Sequence, residues 1–107
     1  MYVAPAGKQV INQAGFKQIY ESPVKVEFES VKEAMYGLGH GVHRTMKGDT
    51  ILYHSGGNPG VRAYFMVSLK TGNGMVVIAN SDNGGPVIIE IVQKWAEFYK
   101  TDIQPIY

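Results

Sequence analysis

The residues best suited to chemistry lie in one short run, His54-Ser55-Gly56-Gly57, followed by Asn58-Pro59-Gly60. It sets an imidazole and a hydroxyl beside two bare backbone positions, and nucleophilic serine chemistry is the candidate it raises. Two other segments invite the same reading and fail it. Ser22-Pro23-Val24-Lys25 has the S-x-x-K spacing by which a Lys one helical turn away takes a Ser proton. The alternating run that follows Pro23 reads as extended, so that pair would be held apart. Ser81-Asp82-Asn83 joins a hydroxyl, a carboxylate and an amide, but it occupies a loop after a strand. His40 and His43 stand three apart, which on a strand sends them to opposite faces, and no acidic residue has ligand spacing from His54. No metal site is expected. Gly37-Leu38-Gly39-His40-Gly41 lacks the third Gly of a dinucleotide fingerprint and leads into a strand, so no cofactor is expected either.

These residues need a sheet to position them. Tyr36 to Arg44 reads as a strand with Gly37, Gly39 and Gly41 on one bare face, open to close approach by another backbone or helix. Thr50 to Gly56 reads as a second strand, and Val61 to Leu69 as a third. In the third, Val61, Ala63, Phe65, Val67 and Leu69 form an apolar face, while Arg62, Tyr64, Met66 and Ser68 point the other way. Met75 to Ala79 is apolar throughout, which predicts a strand covered on both faces. After the Asp82–Pro86 turn, Ile88, Ile91, Val92, Trp95, Phe98 and Tyr99 fall on one helical stripe. Upstream, a helix is expected over Val10–Gln18, an extended edge or linker over Val24–Phe28, and one helical turn from Ser30 to Glu33 by capping-box spacing. The expectation is an α+β domain: about four antiparallel strands under a C-terminal amphipathic helix. Residues 1–35 would be helix and linker, 36–80 strands and 86–100 helix.

Composition narrows the classes. The 107 residues suit one domain, 45% are apolar and 18% charged, and the net charge is +1. That content excludes a disordered tail, and the near-neutral balance argues against a phosphate-neutralising nucleic-acid binder. With zero Cys there is no disulfide framework, zinc finger or thiol nucleophile. Exported bacterial domains also lack Cys, so the count does not assign a compartment. No run reaches the ~20 apolar residues of a membrane span, and Met1-Tyr2-Val3-Ala4-Pro5 does not read as a signal peptide.

Taken in order, Tyr36-Gly37-Leu38-Gly39, His54-Ser55-Gly56-Gly57-Asn58-Pro59-Gly60 and Val76-Val77-Ile78-Ala79-Asn80-Ser81 resemble the C-terminal part of serine β-lactamase-like proteins. That superfamily holds class C β-lactamases, penicillin-binding D-alanyl-D-alanine peptidases and related esterases. The resemblance runs from about Lys8 to Tyr99. It implies a partial β-lactamase/transpeptidase-like fold in which His54, Ser55 and Gly56 occupy the active-site-edge strand. There His54 would help hold the proton network and the substrate carboxylate, Ser55 would contact that carboxylate, and Gly57 would supply one oxyanion-hole N–H. Gly56 would let the ligand approach, with Asn58 beside it. A His where class C enzymes have Lys leans toward the peptidase and esterase branches, since imidazole is the weaker carboxylate anchor at neutral pH.

The family's nucleophilic Ser with its helical Lys, its Tyr-x-Asn element and an N-terminal pair of strands have no counterpart in the chain. The Ser81-Asp82-Asn83 triplet also falls after the His-Ser-Gly strand, where the family's order puts its S-D-N element before. The resemblance therefore implies a C-terminal portion of a larger, exported hydrolase with a small-molecule or peptide substrate, inactive alone. Two other readings stay open: a non-catalytic ligand- or peptide-binding module, and a small sheet protein that assembles through its edges. In each, the Met75–Asn80 strand is expected to expose an edge prone to self-pairing.

Overall fold

A computed structural model describes residues 10–28, 31–101 and 103. Met1–Pro5, Lys8 and Ser30 lie outside the described residues. The chain is α+β. Helix α1 (Gln13–Gln18) is followed by strands β1 (Val24–Phe28), β2 (Val31–Tyr36), β3 (Gly41–Arg44), β4 (Thr50–Asn58), β5 (Val61–Ser68) and β6 (Gly74–Ala79), then helix α2 (Gly85–Phe98). The strands form one open antiparallel sheet in the order β1-β2-β3-β4-β5-β6, each paired with its chain neighbour. Sequential antiparallel pairing needs only short connections, which a chain rich in Gly and Asn turns supplies.

The sheet has six strands, not four, because two expectations merged or missed elements. The stretch Tyr36 to Arg44 is not one strand. Gly39 adopts φ 77°, and the Gly37 N–H donates to the His40 carbonyl at 2.8 Å, so the chain reverses between β2 and β3. The extended edge expected over Val24–Phe28 is β1, but the helical turn expected after it is absent: Val31–Tyr36 is β2, paired with β1 with a bulge between Val26 and Phe28. The Ser30–Glu33 spacing loses to that ladder, in which Val31 pairs with Phe28 and only Met35 and Tyr36 also pair with β3.

With the chain turning at Gly39, the glycines Gly37, Gly39 and Gly41 share no strand face, but two of them admit close neighbours. A Cβ on Gly41 would run into the ring of Tyr53, its cross-strand partner, and one on Gly37 would meet the carbonyl oxygen of Ile19. That same carbonyl accepts the Leu38 N–H at 3.0 Å, which fixes the end of α1 against the β2–β3 turn. At the other end of β3, Arg44 Nη2 donates to the carbonyls of Tyr20 and Glu21 at 3.2 and 3.3 Å. α1 itself is capped by Asn12, whose side chain accepts the Gly15 N–H at 2.8 Å.

Helix α2 lies over β5 and β6. Pro86 sits in its first turn, where a missing N–H costs nothing. It buries Ile88 and Val92 against Ile51, Tyr53, Tyr64 and Met66, and Ala96 is buried as well. The expected stripe is therefore rotated: Trp95 is partly covered, whereas Ile91, Phe98 and Tyr99 are exposed. β6 is also not covered on both faces. Met75, Val77 and Ala79 pack on the α2 side, while Val76 and Ile78 are 72% and 71% exposed on the other. Among the described residues no helix is long and apolar enough to cross a membrane.

Candidate functional site

The length of β4 creates the site. β3 pairs only with Thr50–Tyr53, whereas β5 pairs with β4 from Ile51 to Asn58. His54–Asn58 thus project beyond β3, and the β3-side edge of that segment bears no strand among the described residues. Every residue from His54 to Gly60 is exposed. In an antiparallel strand the backbone N–H and C=O groups point alternately to the two sides, so a strand paired on one side only keeps a set free on the other.

The expected residues share this edge but not a face. Alternation puts Ser55 and Gly57 on the α2 side with Tyr64 and Arg62, and puts His54, Gly56 and Asn58 on the opposite side with Phe65, Ala63 and Val61. His54 is not under α2. Its ring stacks on Phe65 at 6.4 Å and 7°, and Tyr36 meets it edge-on at 6.4 Å. His40 reaches the same Phe65 ring at 5.7 Å and 78°, with its Nδ1 3.1 Å from the Leu38 carbonyl. Four rings therefore gather at one end of the projecting segment.

Beneath Ser55 the chemistry is neutral. Tyr53 and Tyr64 stack at 6.2 Å. Burial raises the Tyr64 phenol well above its ordinary 10.0, with Tyr53 adding to the rise. Burial also raises the Tyr53 phenol, and Tyr36 adds to that. Both phenols stay protonated at neutral pH, so neither acts as a base for Ser55. The Ser22–Lys25 pair is not a dyad either: Pro23 separates Ser22 from β1, Lys25 lies within β1, and no helical turn joins them. Among the described residues no three His, Asp or Glu side chains gather closely enough to hold a metal ion.

Ser81-Asp82-Asn83 has a positional role. Asp82 Oδ1 accepts the Gly60 N–H at 2.9 Å and faces Arg62 Nη1 at 3.3 Å. The same Nη1 donates to the carbonyls of Asn58 and Val61 at 2.9 Å each. The clamp holds the β4–β5 turn closed, and Ser81 Oγ accepts the Asn83 N–H at 3.1 Å to shape its own turn. Arg62 also lies along Gly57, where a Cβ would stand 3.3 Å from the guanidinium.

Sequence reasoning missed Tyr36, His40, Arg62, Phe65 and Asp82. For two of them a clue existed. A two-residue Pro59-Gly60 turn pairs Asn58 with Val61, and counting back along the hairpin sets Arg62 opposite Gly57 and Phe65 opposite His54. No protein-family model, no curated protein and no solved structure matches the chain.

Proposed function

We propose that the chain supplies the active-site-edge strand of a serine acyl-transfer hydrolase of the β-lactamase-like class, with the nucleophile contributed by polypeptide outside these 107 residues. One observation carries the reading. Gly56 lies in the middle of the unpaired β4 edge, its φ is not in the left-handed region, and a Cβ there would meet nothing within 4 Å. Nothing among the described residues demands a glycine at that point, whereas a ligand overlapping that face of the edge would.

On this reading a substrate runs beside His54–Asn58 along the edge and overlaps the face on which a Gly56 Cβ would stand. His54 and Ser55 can then both reach its carboxylate from opposite sides of the strand. An incoming Ser oxygen attacks the substrate carbonyl as its proton passes to the helical Lys supplied with it, and the carbonyl electron pair moves to the oxygen. The Gly57 N–H donates to that oxyanion, a contribution of ~3–4 kcal/mol to the chemical step. Collapse breaks the bond to the amine or alcohol, which takes the proton back from the Lys, and forms an acyl-enzyme that water then hydrolyses to the acid and the free Ser hydroxyl. The four-ring cluster would wall one side of the site.

The same free edge also favours a second reading, a non-catalytic module that adds a peptide strand beside β4. The chain alone, titrated with an N-acyl-D-alanyl-D-alanine peptide and followed by amide NMR, is expected to show shifts at Ser55–Asn58 with no turnover of a chromogenic cephalosporin or a nitrophenyl ester. The reading frame upstream is expected to encode an S-x-x-K opening a helix and then Tyr-x-Asn. A stop or an unrelated domain there overturns the enzyme in favour of the binding module. Fluorophosphonate labelling of Ser55 overturns its assignment as a substrate contact.

A further inference from the structure

The geometry points to β6 as a self-pairing edge: we propose that two copies of the chain join β6 to β6 in antiparallel fashion, making one continuous sheet with both α2 helices on the same side. This surface is separate from the His54–Asn58 edge and does not depend on the hydrolase reading.

β6 ends the sheet, and among the described residues nothing pairs with its outer side. Its sequence, Gly-Met-Val-Val-Ile-Ala, contains no charge and no Pro, and its pairing with β5 shows no bulge. Among the described residues it has no charge, Pro, bulge or covering segment of the kind by which edge strands repel further pairing. The apolar surface continues around the edge on both sides. On the open face, Val76 and Ile78 stand clear, and a groove of about 530 Å³ runs beside Val76 between Phe65, Val67 and Gly74. On the other side, the α2 flank bearing Gln93 and Glu97 shares a pocket with Lys47 of the β3–β4 turn. Helical geometry turns the opposite flank, with Val87, Ile91 and Phe98, away from that turn, and all three are exposed.

A second copy fits because the strand is self-complementary. A two-fold axis normal to the sheet keeps like faces together, so each residue must oppose one of the same face. The register with Val77 opposite its own copy sets Val76 against Ile78 twice and Met75 against Ala79 twice. The next face-matched register would put Gly74 opposite Ile78 and lose those contacts. No ion pair is required, in keeping with an uncharged strand. The five exposed side chains offer on the order of 500 Å² of apolar surface per copy, against roughly 800 Å² per partner in a standard interface. The pairing is therefore expected to be reversible, with Kd in the micromolar range, since area of this size leaves little surplus over the cost of association.

Sedimentation velocity of the full chain across a concentration series tests the proposal. A monomer–dimer equilibrium is expected. The V76K/I78K double variant, whose two positions are exposed, should raise Kd at least tenfold while circular dichroism stays unchanged. Because the chain has no Cys, V77C can be oxidised without side products, and the chosen register predicts a covalent dimer. If the double variant fails to fold, the V77C cross-link still decides. A chain that stays monomeric at millimolar concentration overturns the proposal and leaves the edge to a strand from elsewhere. A dimer indifferent to V76K/I78K and not cross-linked through V77C also overturns it.

Discussion

The two faces of β5 reverse the burial that their composition suggests. Val61, Ala63, Phe65 and Val67 are apolar without exception, yet they are only partly covered, and Val61 is exposed. On the other face Tyr64 and Met66 are 2% and 1% exposed, and even Ser68 is buried. The difference lies in where α2 lands. The Asn80–Gly84 connection is tight: a Cβ on Gly84 would strike that of Ala79 and reach Arg62. The turn therefore delivers the helix to the Arg62 face. Connection geometry, more than side-chain hydrophobicity, decides which face of β5 becomes core, although Val42 and Leu52 are buried on the other face farther along the sheet. The apolar face left over becomes the wall of the candidate site at Phe65 and of the β6 edge at Val76.

The largest effect expected from this contrast is a core truncation. Met66→Ala removes a buried side chain between Tyr53, Met75 and α2 and should cost ~2–5 kcal/mol in urea denaturation. Val76→Ala, on the neighbouring strand's open face, should cost less than about 0.5 kcal/mol when measured below the dimerisation concentration. Equal losses would break the contrast and imply that the open face is covered in solution.

Much of the fold was readable for a local reason. The Val61–Leu69, Met75–Ala79 and 86–100 segments have strong periodicity and clear Gly, Asn or Pro boundaries, and each lies within a residue or two of its element. What failed depended on long-range pairing. Ser30–Glu33 has helix-start spacing, but pairing with β1 holds Val31–Tyr36 extended, with β3 adding only at Met35 and Tyr36. The Gly37–Gly41 run looked continuous because a strand and a tight turn both tolerate Gly, and only the Gly39 dihedral separates them. The site divides the same way. His54–Asn58 is legible as a strand end, and alternation alone shows that Ser55 and His54 face apart. Their ring neighbours Tyr36 and His40 come from the far side of a hairpin whose turn was not recognised.

A polar feature sharpens the comparison at the buried end of the same face. Ser68 Oγ donates to Asp49 Oδ2 at 2.5 Å, and Asp49 Oδ1 accepts the N–H groups of Thr50 and Lys70 at 2.7 and 3.1 Å. Thr71 N–H in turn donates to Ser68 Oγ at 3.1 Å. Asp49→Ala removes the acceptor of all three donors, the buried Ser68 hydroxyl among them, so a loss of about 1–3 kcal/mol is expected by thermal or urea melting. A loss confined to a few tenths would show that water replaces the carboxylate.

Alkali should also act on the covered face alone. The Tyr53 and Tyr64 phenols titrate higher in the folded chain than the ordinary 10.0 they regain on unfolding. Above pH 10 the folded chain therefore keeps protons that the unfolded chain releases. Stability is full below pH 10 and falls as the pH rises through the folded values. Urea midpoints measured at pH 9 and pH 11 should separate, and Tyr64→Phe should narrow the gap. A gap unchanged in Tyr64→Phe would assign the loss to other groups.

A small global effect with a sharper local one is expected at the exposed end of the α2-side face, where Arg62 takes the place of a core residue. Asp82 is largely exposed, so its pair with Arg62 is screened and Asp82→Ala should cost under about 1 kcal/mol of global stability. The local effect should be clearer. Asp82 is the acceptor for Gly60 N–H, and Arg62 ties the Asn58 and Val61 carbonyls across the same turn. Without the carboxylate, Gly60 N–H loses its partner and the guanidinium loses the charge that steers it. Amide exchange should then quicken at Gly60 and leave Leu52 and Met66 unchanged, since their ladder and core contacts lie beyond the clamp. A global loss above about 2 kcal/mol would make Asp82 part of the fold's core stability, beyond what exposed ion pairs supply. Unchanged exchange at Gly60 would show that the two-residue turn closes without it, and the Ser81-Asp82-Asn83 triplet would then lose its positional role.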